Sequence, residues 1–236
     1  GVRLVGSEMC IRDSCNKVEE GTGDYTTQTL CENANECKSV KPLQCGSAQS
    51  IPLSIDITVI PQREIYHIGS YNTLNTDLVV NGTLCIDKLF NINKGGKINI
   101  NKGGKININQ NGSININQYG SINNNDGGDI ENRGYIYSFS GTITNSGSIT
   151  NHRSIYNYGR IFYNNYGGTI DNKQDASINN YQTITNKNGG KIDNRGYINL
   201  FSQNGKIVNN GTICGNYIQD INRNMMHIVK PVDSNC

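Results

Sequence analysis

Residues 97–126, KININKGGKININQNGSININQYGSINNND, carry an isoleucine at every eighth position. The four are Ile98, Ile106, Ile114 and Ile122, and in the first three units a second isoleucine follows two residues later. Asn fills most of the other positions, and Gly closes each unit. Because side chains alternate between the faces of a strand, each unit predicts a short strand with inward isoleucines and a sharp corner where Gly and Asn supply positive φ.

The composition restricts the kind of core that the chain can build. Its 236 residues include 38 Asn and 27 Gly but only four Phe and no Trp. A thick globular core needs bulky apolar residues, so the expected core is thin and repetitive. The net charge of +2 gives no electrostatic reason to expect nucleic-acid binding. No apolar run approaches the roughly 18 residues of a membrane span, so no membrane insertion is expected.

The isoleucine pattern extends in both directions at spacings of six to nine residues. Each predicted strand has three residues with an inward anchor in the middle. The anchors are Leu78, Leu84, Phe90, Ile98, Ile106, Ile114, Ile122, Ile130, Ile136, Ile143, Ile149, Ile155, Ile161, Ile170, Ile178, Ile184, Ile192, Ile198, Ile207 and Ile213.

Two internal repeats indicate how many strands form a coil. Gly-Gly pairs precede Ile106, Ile130, Ile170 and Ile192 at intervals of three, six and three anchors, and only the pair before Ile98 is out of phase. The segment GGDIENRGYIYSFS at 127–140 also returns as GGKIDNRGYINLFS at 189–202, nine anchors later. The sequence therefore predicts an all-β parallel β-helix with three short strands per coil and six to seven coils. The variable unit length favours a right-handed solenoid over a strict six-residue left-handed one.

Asn recurs two residues after many anchors, where the side chain points inward at a corner. Because a buried amide needs hydrogen-bond partners, and each amide both donates and accepts, we expect these residues to stack from coil to coil. They are Asn124, Asn132, Asn145, Asn151, Asn157, Asn172, Asn180, Asn186, Asn194 and Asn209.

The chain outside the repeat divides into four segments. Residues 4–14, LVGSEMCIRDS, resemble the translation of a transposase adaptor used to prepare sequencing libraries, so 1–14 is interpreted as an artefact and expected to be disordered. A signal peptide is then expected to have been lost by truncation. Residues 15–50 form a Cys-rich segment, 51–77 a capping strand region, 78–216 the solenoid, and 217–236 a C-terminal cap or tail.

The cysteines favour disulfides over a zinc site. Cys31 and Cys37 have five residues between them, which does not fit the tight pairs of zinc sites. Cys85 and Cys214 share an outward face six coils apart, too far to bond to each other. We predict that Cys85 pairs with the N-terminal cluster and Cys214 with Cys236, in an extracellular or cell-surface setting. Without Cys10, the candidates are Cys15, Cys31, Cys37, Cys45, Cys85, Cys214 and Cys236.

The units quoted above resemble the G-x-I-x-N-x-G repeats of filamentous-haemagglutinin-like and other adhesin-type right-handed β-solenoids. The resemblance covers about 140 residues and is specific for architecture. It implies a secreted or surface protein with a structural or adhesive role.

Catalysis is not expected, and no catalytic, cofactor or metal residue is assigned. Pectinase-type parallel β-helices, the enzymatic alternative, carry clustered acids in a groove walled by long loops, whereas these corners are short. Glu131, Asp171 and Asp193 share one outward column, and basic residues follow each by two positions. Solvated ion pairs account for this arrangement.

Ice binding is a second alternative, because flat solenoid antifreeze proteins carry outward T-x-T pairs. Thr142 with Thr144 and Thr183 with Thr185 fit this pattern and are expected on one face. Other outward pairs predicted on that face interrupt the array: Lys97/Asn99, Ser121/Asn123, Arg160/Phe162 and Lys206/Val208.

Aromatic residues mark another predicted face. The outward residues are Tyr135, Tyr137, Tyr156 and Tyr197, with Tyr158 near the adjoining corner. Exposed aromatics can bind a glycan or a cell-surface protein. Alternatively, stacked rings only stabilise neighbouring coils.

Overall fold

The isoleucine repeat folds into short parallel strands around one narrow core. The computed structural model describes residues 45, 51–52, 57–159, 161–215 and 218–221, all within the unit Cys45–Cys236. No helix occurs in these residues. The strands are β1 (Ile51–Pro52), β2 (Val59–Ile60), β3 (Ile65–Ile68), β4 (Asn72–Leu74), β5 (Asp77–Val80), β6 (Thr83–Ile86), β7 (Leu89–Ile92), β8 (Lys97–Ile100), β9 (Lys105–Ile108), β10 (Ser113–Ile116), β11 (Ser121–Asn124), β12 (Asp129–Asn132), β13 (Tyr135–Ser138), β14 (Thr142–Asn145), β15 (Ser148–Asn151), β16 (Ser154–Asn157), β17 (Ile161–Asn164), β18 (Thr169–Asn172), β19 (Ser177–Asn180), β20 (Thr183–Asn186), β21 (Lys191–Asn194), β22 (Tyr197–Leu200), β23 (Lys206–Asn209), β24 (Thr212–Gly215) and β25 (Ile218–Asp220).

From β2 onward, each strand pairs in parallel with the strand three places further along the chain. Sheet A has the order β1-β3-β6-β9-β12-β15-β18-β21-β24, sheet B the order β2-β5-β8-β11-β14-β17-β20-β23, and sheet C the order β4-β7-β10-β13-β16-β19-β22-β25. Each coil therefore contributes one strand to each sheet, which confirms the parallel β-solenoid with three strands per coil.

The solenoid has about eight turns rather than the six to seven predicted. The difference arises before Leu78, because strands of the region expected to form a cap extend the same three sheets. In this region β2 pairs with β5, β3 with β6 and β4 with β7. The right-handed winding remains a prediction.

Most strands have four residues rather than three, with the second and fourth inward. The burial pattern alternates accordingly, as in β9 and β15. The second position holds the predicted anchors, which form the core with exposed fractions near zero, except Ile207, which is only partly buried. One anchor was wrong: Phe162, not Ile161, aligns with Ile143 and Ile184 and is 1% exposed. The predicted outward pair Arg160 and Phe162 was therefore wrong, because Phe162 is an inward residue and Tyr163 takes the third position of β17.

The fourth position divides the rod into two halves. It is aliphatic up to β10 and mainly polar from β11 onward, where Asn124 aligns with Ile100 of the preceding coil. Asn132 likewise aligns with Ile108, and Ser138 with Ile116. We call residues 57–116 the aliphatic half and 121–215 the ladder half.

Stacked amides fill most fourth positions of the ladder half, as predicted, with Ser138, Leu200 and Gly215 as the exceptions. In each pair the Nδ2 of one Asn donates to the Oδ1 of the Asn one coil later. Asn124, Asn145, Asn164, Asn186 and Asn209 form the ladder of sheet B, with N···O distances of 2.8, 2.8, 2.8 and 2.7 Å. Asn132, Asn151, Asn172 and Asn194 form that of sheet A, at 2.8, 2.8 and 2.7 Å. In sheet C, Asn157 donates to Asn180 at 2.8 Å.

The corners use Gly for two different reasons. Gly103 has φ of 81°, a left-handed conformation in which a side chain is strained. Gly104 has no such φ, but a Cβ there would overlap the carbonyl oxygen of Val80 in the preceding coil. The expectation that Asn also supplies positive φ was wrong for the described residues. There, the non-Gly residues with positive φ are Arg63, Tyr119, Asp175 and Ser202.

A disulfide joins Cys85 to Cys45, a member of the N-terminal cysteine cluster. Their Cα atoms lie 5.6 Å apart, and 40 residues separate them in sequence. Cys214 lies in the same outward column of sheet A as Cys85, six strands away, and it too is disulfide-bonded. Its predicted partner, Cys236, lies outside the described residues. So do residues 1–14, all of the predicted Cys-rich segment 15–50 except Cys45, and residues 217 and 222–236 of the predicted C-terminal cap or tail.

Candidate functional site

Aromatic side chains gather on the outer surface of sheet C and its following corner. Three of them occupy alternate residues along β13 and its corner, and the others follow in later coils. We call this group the aromatic face, and it consists of Tyr135, Tyr137, Phe139, Tyr156, Tyr158, Tyr181 and Phe201.

The rings stack along the direction in which coils follow one another. Ring centres lie 4.9 Å apart for Tyr137 and Tyr156, 4.4 Å for Tyr158 and Tyr181, and 4.7 Å for Tyr181 and Phe201, with planes within 27° of parallel. Rings lying flat side by side could not approach so closely, so successive rings face each other in offset stacks. Interior rings therefore present their edges to solvent, and unstacked ring faces occur at the ends of the columns.

Burial within this stack changes the acidity of two hydroxyl groups. The pKa of Tyr158 is raised to about 12, first by burial and then by its hydrogen bond to Tyr181. Burial also raises the pKa of Tyr137, with the neighbouring Tyr156 and Tyr135 adding to the effect. Both hydroxyls therefore stay neutral at physiological pH and can donate or accept hydrogen bonds.

The sequence located part of this face. Tyr135, Tyr137 and Tyr156 belong to it, whereas Tyr197 lies on sheet C, is 57% exposed and stacks on no ring in the described part of the chain. Phe139, Tyr181 and Phe201 were missed. Each directly follows the fourth residue of a strand, in the same column as Tyr158, so an aromatic residue at that offset was the available signal.

A polar cleft borders the aromatic face at the corner between sheets A and C. It has a volume of about 470 Å³ and is lined by Gln110, Arg133, His152 and Arg153. The guanidinium carbon of Arg153 lies 4.3 Å from the centre of the Tyr135 ring. The cleft and the rings thus form one continuous surface.

The carboxylates of sheet A form the ion pairs expected from the sequence. Arg133 Nη2 lies 2.7 Å from Glu131 Oε1, and Arg195 Nη2 lies 2.7 Å from Asp171 Oδ1. Lys105 lies 3.3 Å from Glu131. Burial alone would raise the pKa of Glu131, but the hydrogen bond from Arg133 and the charges of Lys105 and Arg133 hold it below its usual value. Both carboxylates, Glu131 and Asp171, are therefore engaged in ion pairs with basic side chains.

No group of three or more His, Cys, Asp and Glu that could hold a metal ion occurs in the described ranges.

The two T-x-T pairs lie on sheet B, two strands apart. Thr142 aligns with Ile161, which in turn aligns with Thr183; Thr144 and Thr185 flank Tyr163 in the same way. The Thr pairs therefore do not form a continuous array.

Searches against protein-family models, curated proteins and solved structures found no match for the chain. Among the described residues, no helix has the length and apolar character needed to cross a membrane.

Proposed function

We propose that the protein is a non-enzymatic structural and adhesive solenoid that binds glycans through its aromatic face. The observation that carries the proposal is the continuous array of seven aromatic rings on one outer surface. The outer surface of sheet C in the two preceding coils carries Leu89, Asn91, Ser113 and Asn115 instead, with no aromatic ring among them. Such a local change of composition is more typical of a binding surface than of strand propensity alone.

The form of the surface favours an extended glycan as the ligand. The stacked rings run across four successive strands of sheet C, from β13 to β22. Ring faces at the column ends can stack on a sugar, and the tyrosine hydroxyls along the edges can exchange hydrogen bonds with sugar hydroxyls. A chain of linked sugars can use both kinds of contact, and a cell-surface protein is the competing partner.

A secreted or cell-surface location is part of the proposal. It is supported by the bond between Cys45 and Cys85 and by the disulfide-bonded state of Cys214, since disulfides persist mainly in oxidising compartments. The resemblance of the repeats to adhesin-type solenoids points the same way.

The alternatives have less support from the arrangement of side chains. An ice-binding surface would need matched Thr pairs on successive strands, and Tyr163 separates Thr144 from Thr185. A hydrolase would need unpaired acids in a cleft, and Glu131 and Asp171 are each paired with basic residues.

The test is binding of the purified full chain to a panel of immobilised neutral and acidic polysaccharides. The double variant Tyr137→Ala with Tyr156→Ala removes two mutually stacked rings from the centre of the face. We expect binding to fall at least about tenfold, because two aromatic contacts together contribute more than about 1.4 kcal/mol.

The matched control is Tyr163→Ala, which removes a tyrosine from the third position of a strand on sheet B. It should bind like the unmodified chain. Circular dichroism should show strand signal unchanged in both variants. The proposal fails if no polysaccharide binds, or if the double variant and the control bind equally well.

A further inference from the structure

Arg153 differs from the other basic residues of its corner in its partners. Arg133 is paired with Glu131, and Lys173 and Arg195 are paired with Asp171. Arg153 instead donates from Nη1 to the backbone carbonyl of Gln110 at 2.6 Å. In the described part of the chain it forms no ion pair with a carboxylate.

Two contacts hold the Arg153 side chain at the cleft. One is the hydrogen bond to Gln110, and the other is the approach of its guanidinium to the Tyr135 ring at 4.3 Å. Its Nε and Nη2 make no hydrogen bond to any described residue. These two contacts hold the guanidinium in place while Nε and Nη2 can still donate. Binding an anion therefore costs little side-chain conformational entropy.

The cleft has an excess of positive charge that Arg153 supplies. The cations at or beside it are Lys88, Lys105, Arg133 and Arg153, and the carboxylates are Asp87, Asp129 and Glu131. Four positive and three negative charges leave one positive charge, with histidine not counted. Since Lys105 and Arg133 both contact Glu131, the uncompensated charge is that of Arg153. A volume of about 470 Å³ is sufficient for one sugar unit.

An aromatic ring at the start of the stack lies close to this charge. Tyr137 stacks on Tyr156 of the next coil, whereas Asn115 takes the aligned position in the preceding coil. The other ring neighbours of Tyr137 in the described residues, Tyr135 and Phe139, lie on its own coil at 5.8 Å, so the aligned position of the preceding coil contributes no ring. Ser113, also small, aligns with Tyr135. The first aromatic residues of sheet C, Tyr135 and Tyr137, are thus aligned with the polar residues Ser113 and Asn115 of the preceding coil.

We propose that this corner is a subsite for an acidic sugar, whose carboxylate or sulfate binds Arg153 and Arg133 in the cleft. The adjoining sugar ring packs against Tyr137 from the side of the preceding coil, where Asn115 takes the aligned position. The guanidinium fork matches the planar carboxylate and the oxygens of a sulfate. This inference rests on the proposed glycan binding by the aromatic face, and it specifies that the bound glycan is negatively charged.

Three probes with one backbone test the inference: dextran, carboxymethyl dextran and dextran sulfate, each immobilised and exposed to the full chain. We expect the two charged forms to bind at least about tenfold more tightly than dextran. Arg153→Gln should remove most of this difference, and Arg153→Lys should restore it only in part, because an ammonium lacks the fork. The two charged arms show whether carboxylate or sulfate is preferred.

The matched control is Arg195→Gln, which removes the same charge from the equivalent corner two coils later, but from an arginine paired with Asp171. It should change binding less than twofold. Equal losses for Arg153→Gln and Arg195→Gln would show attraction to net charge alone and overturn the inference, as would equal binding of charged and neutral dextran. If the arginine variants behave alike while the tyrosine double variant loses polysaccharide binding, the aromatic face stands and the acidic subsite does not.

Discussion

The aliphatic half and the ladder half share one backbone geometry and fill the same inward position differently. In the aliphatic half, Ile86 and Ile108 align at the fourth position of sheet A and are buried. In the ladder half, Asn132 and Asn151 take the same position and are equally buried. A buried amide is tolerated here because side chains one coil apart, at a strand spacing of about 4.8 Å, bring Asn132 Nδ2 within 2.8 Å of Asn151 Oδ1.

On the outer surface the distribution of Asn is reversed, because there the aliphatic half carries the hydrogen-bonded Asn side chains. Outside the aliphatic half, Asn side chains bond between coils, as in Asn101 to Asn81 at 2.9 Å and Asn117 to Asn93 at 2.8 Å. Outside the ladder half, aromatic, hydroxyl and charged residues predominate. Moving Asn inward thus leaves outer positions available for binding residues. Inner and outer amides also point in opposite directions, since the outer donors lie in the later coil.

The largest effect is expected from placing an amide in the aliphatic half. Ile86→Asn puts it between Ile68 and Ile108, which offer no partner. We expect a loss of roughly 4 kcal/mol in the free energy of unfolding, from lost apolar burial and an unsatisfied amide. Urea denaturation with intact disulfides measures this loss.

Ile108→Asn is the matched substitution at the boundary between the halves. Its amide can donate to Asn132 in the next coil, so we expect it to cost about 1 kcal/mol less than Ile86→Asn. Equal losses at the two positions would show that a hydrogen bond to the existing ladder does not stabilise the added amide.

A slightly smaller effect is expected from breaking the ladder. Asn151 is fully buried and donates to Asn172 Oδ1 and to the Ser177 carbonyl. Asn151→Asp replaces both donors with acceptors, and we expect a loss of about 3 kcal/mol at neutral pH by urea denaturation. Asn125→Asp makes the same change in an exposed amide that bonds to Asn101, and should cost under about 0.5 kcal/mol. Similar losses at both sites would remove the distinction between inner and outer amides.

The smallest effect concerns the ring stack that only the ladder half carries. Tyr158→Leu should cost about 1 kcal/mol beyond lost surface burial, because Tyr158 stacks on Tyr181 at 4.4 Å. Thermal or urea unfolding at pH 7 measures this cost. Tyr158→Phe keeps the ring and serves as the control, with a smaller loss expected.

The raised pKa of Tyr158 also predicts how stability changes at high pH. The folded chain keeps this proton up to about pH 12, whereas the unfolded chain releases it near pH 10. Stability therefore falls as pH rises between these values. The fall should be steeper in the unmodified chain than in Tyr158→Phe, and identical slopes would contradict the assignment.

Strand period and corner repeats were sufficient to predict the coil from the sequence. The period of two and the interval of three anchors depend only on local geometry, so Ile106, Ile130 and Ile170 could be placed in one column before their contacts were known. Phe162 was assigned outward because Ile161 beside it suits an anchor equally well. The following Asn164, two residues after Phe162 as the ladder requires, would have resolved this choice.

The aromatic face was harder to predict because it extends past the strands. Tyr181 and Phe201 lie at corners, where no alternation fixes the direction of a side chain. Their stacking depends on equal corner geometry in successive coils, which follows from hydrogen bonds such as Tyr181 N to Asn157 O and Phe201 N to Asn180 O. The cleft at Arg153 was not predicted for a similar reason, since its bond to Gln110 spans 43 residues.

Because of the amide ladders, the two halves differ in how easily a coil can be inserted or deleted during evolution. Duplicating a coil in the aliphatic half requires only that isoleucines stay in register, as they do across the 24 residues between Asn93 and Asn117. A coil inserted into the ladder half would have to bring a donor and an acceptor at each ladder corner, or leave buried amides unpaired. The rod can therefore gain or lose length most easily among its earlier coils, without disturbing the register of the rings and arginines further along.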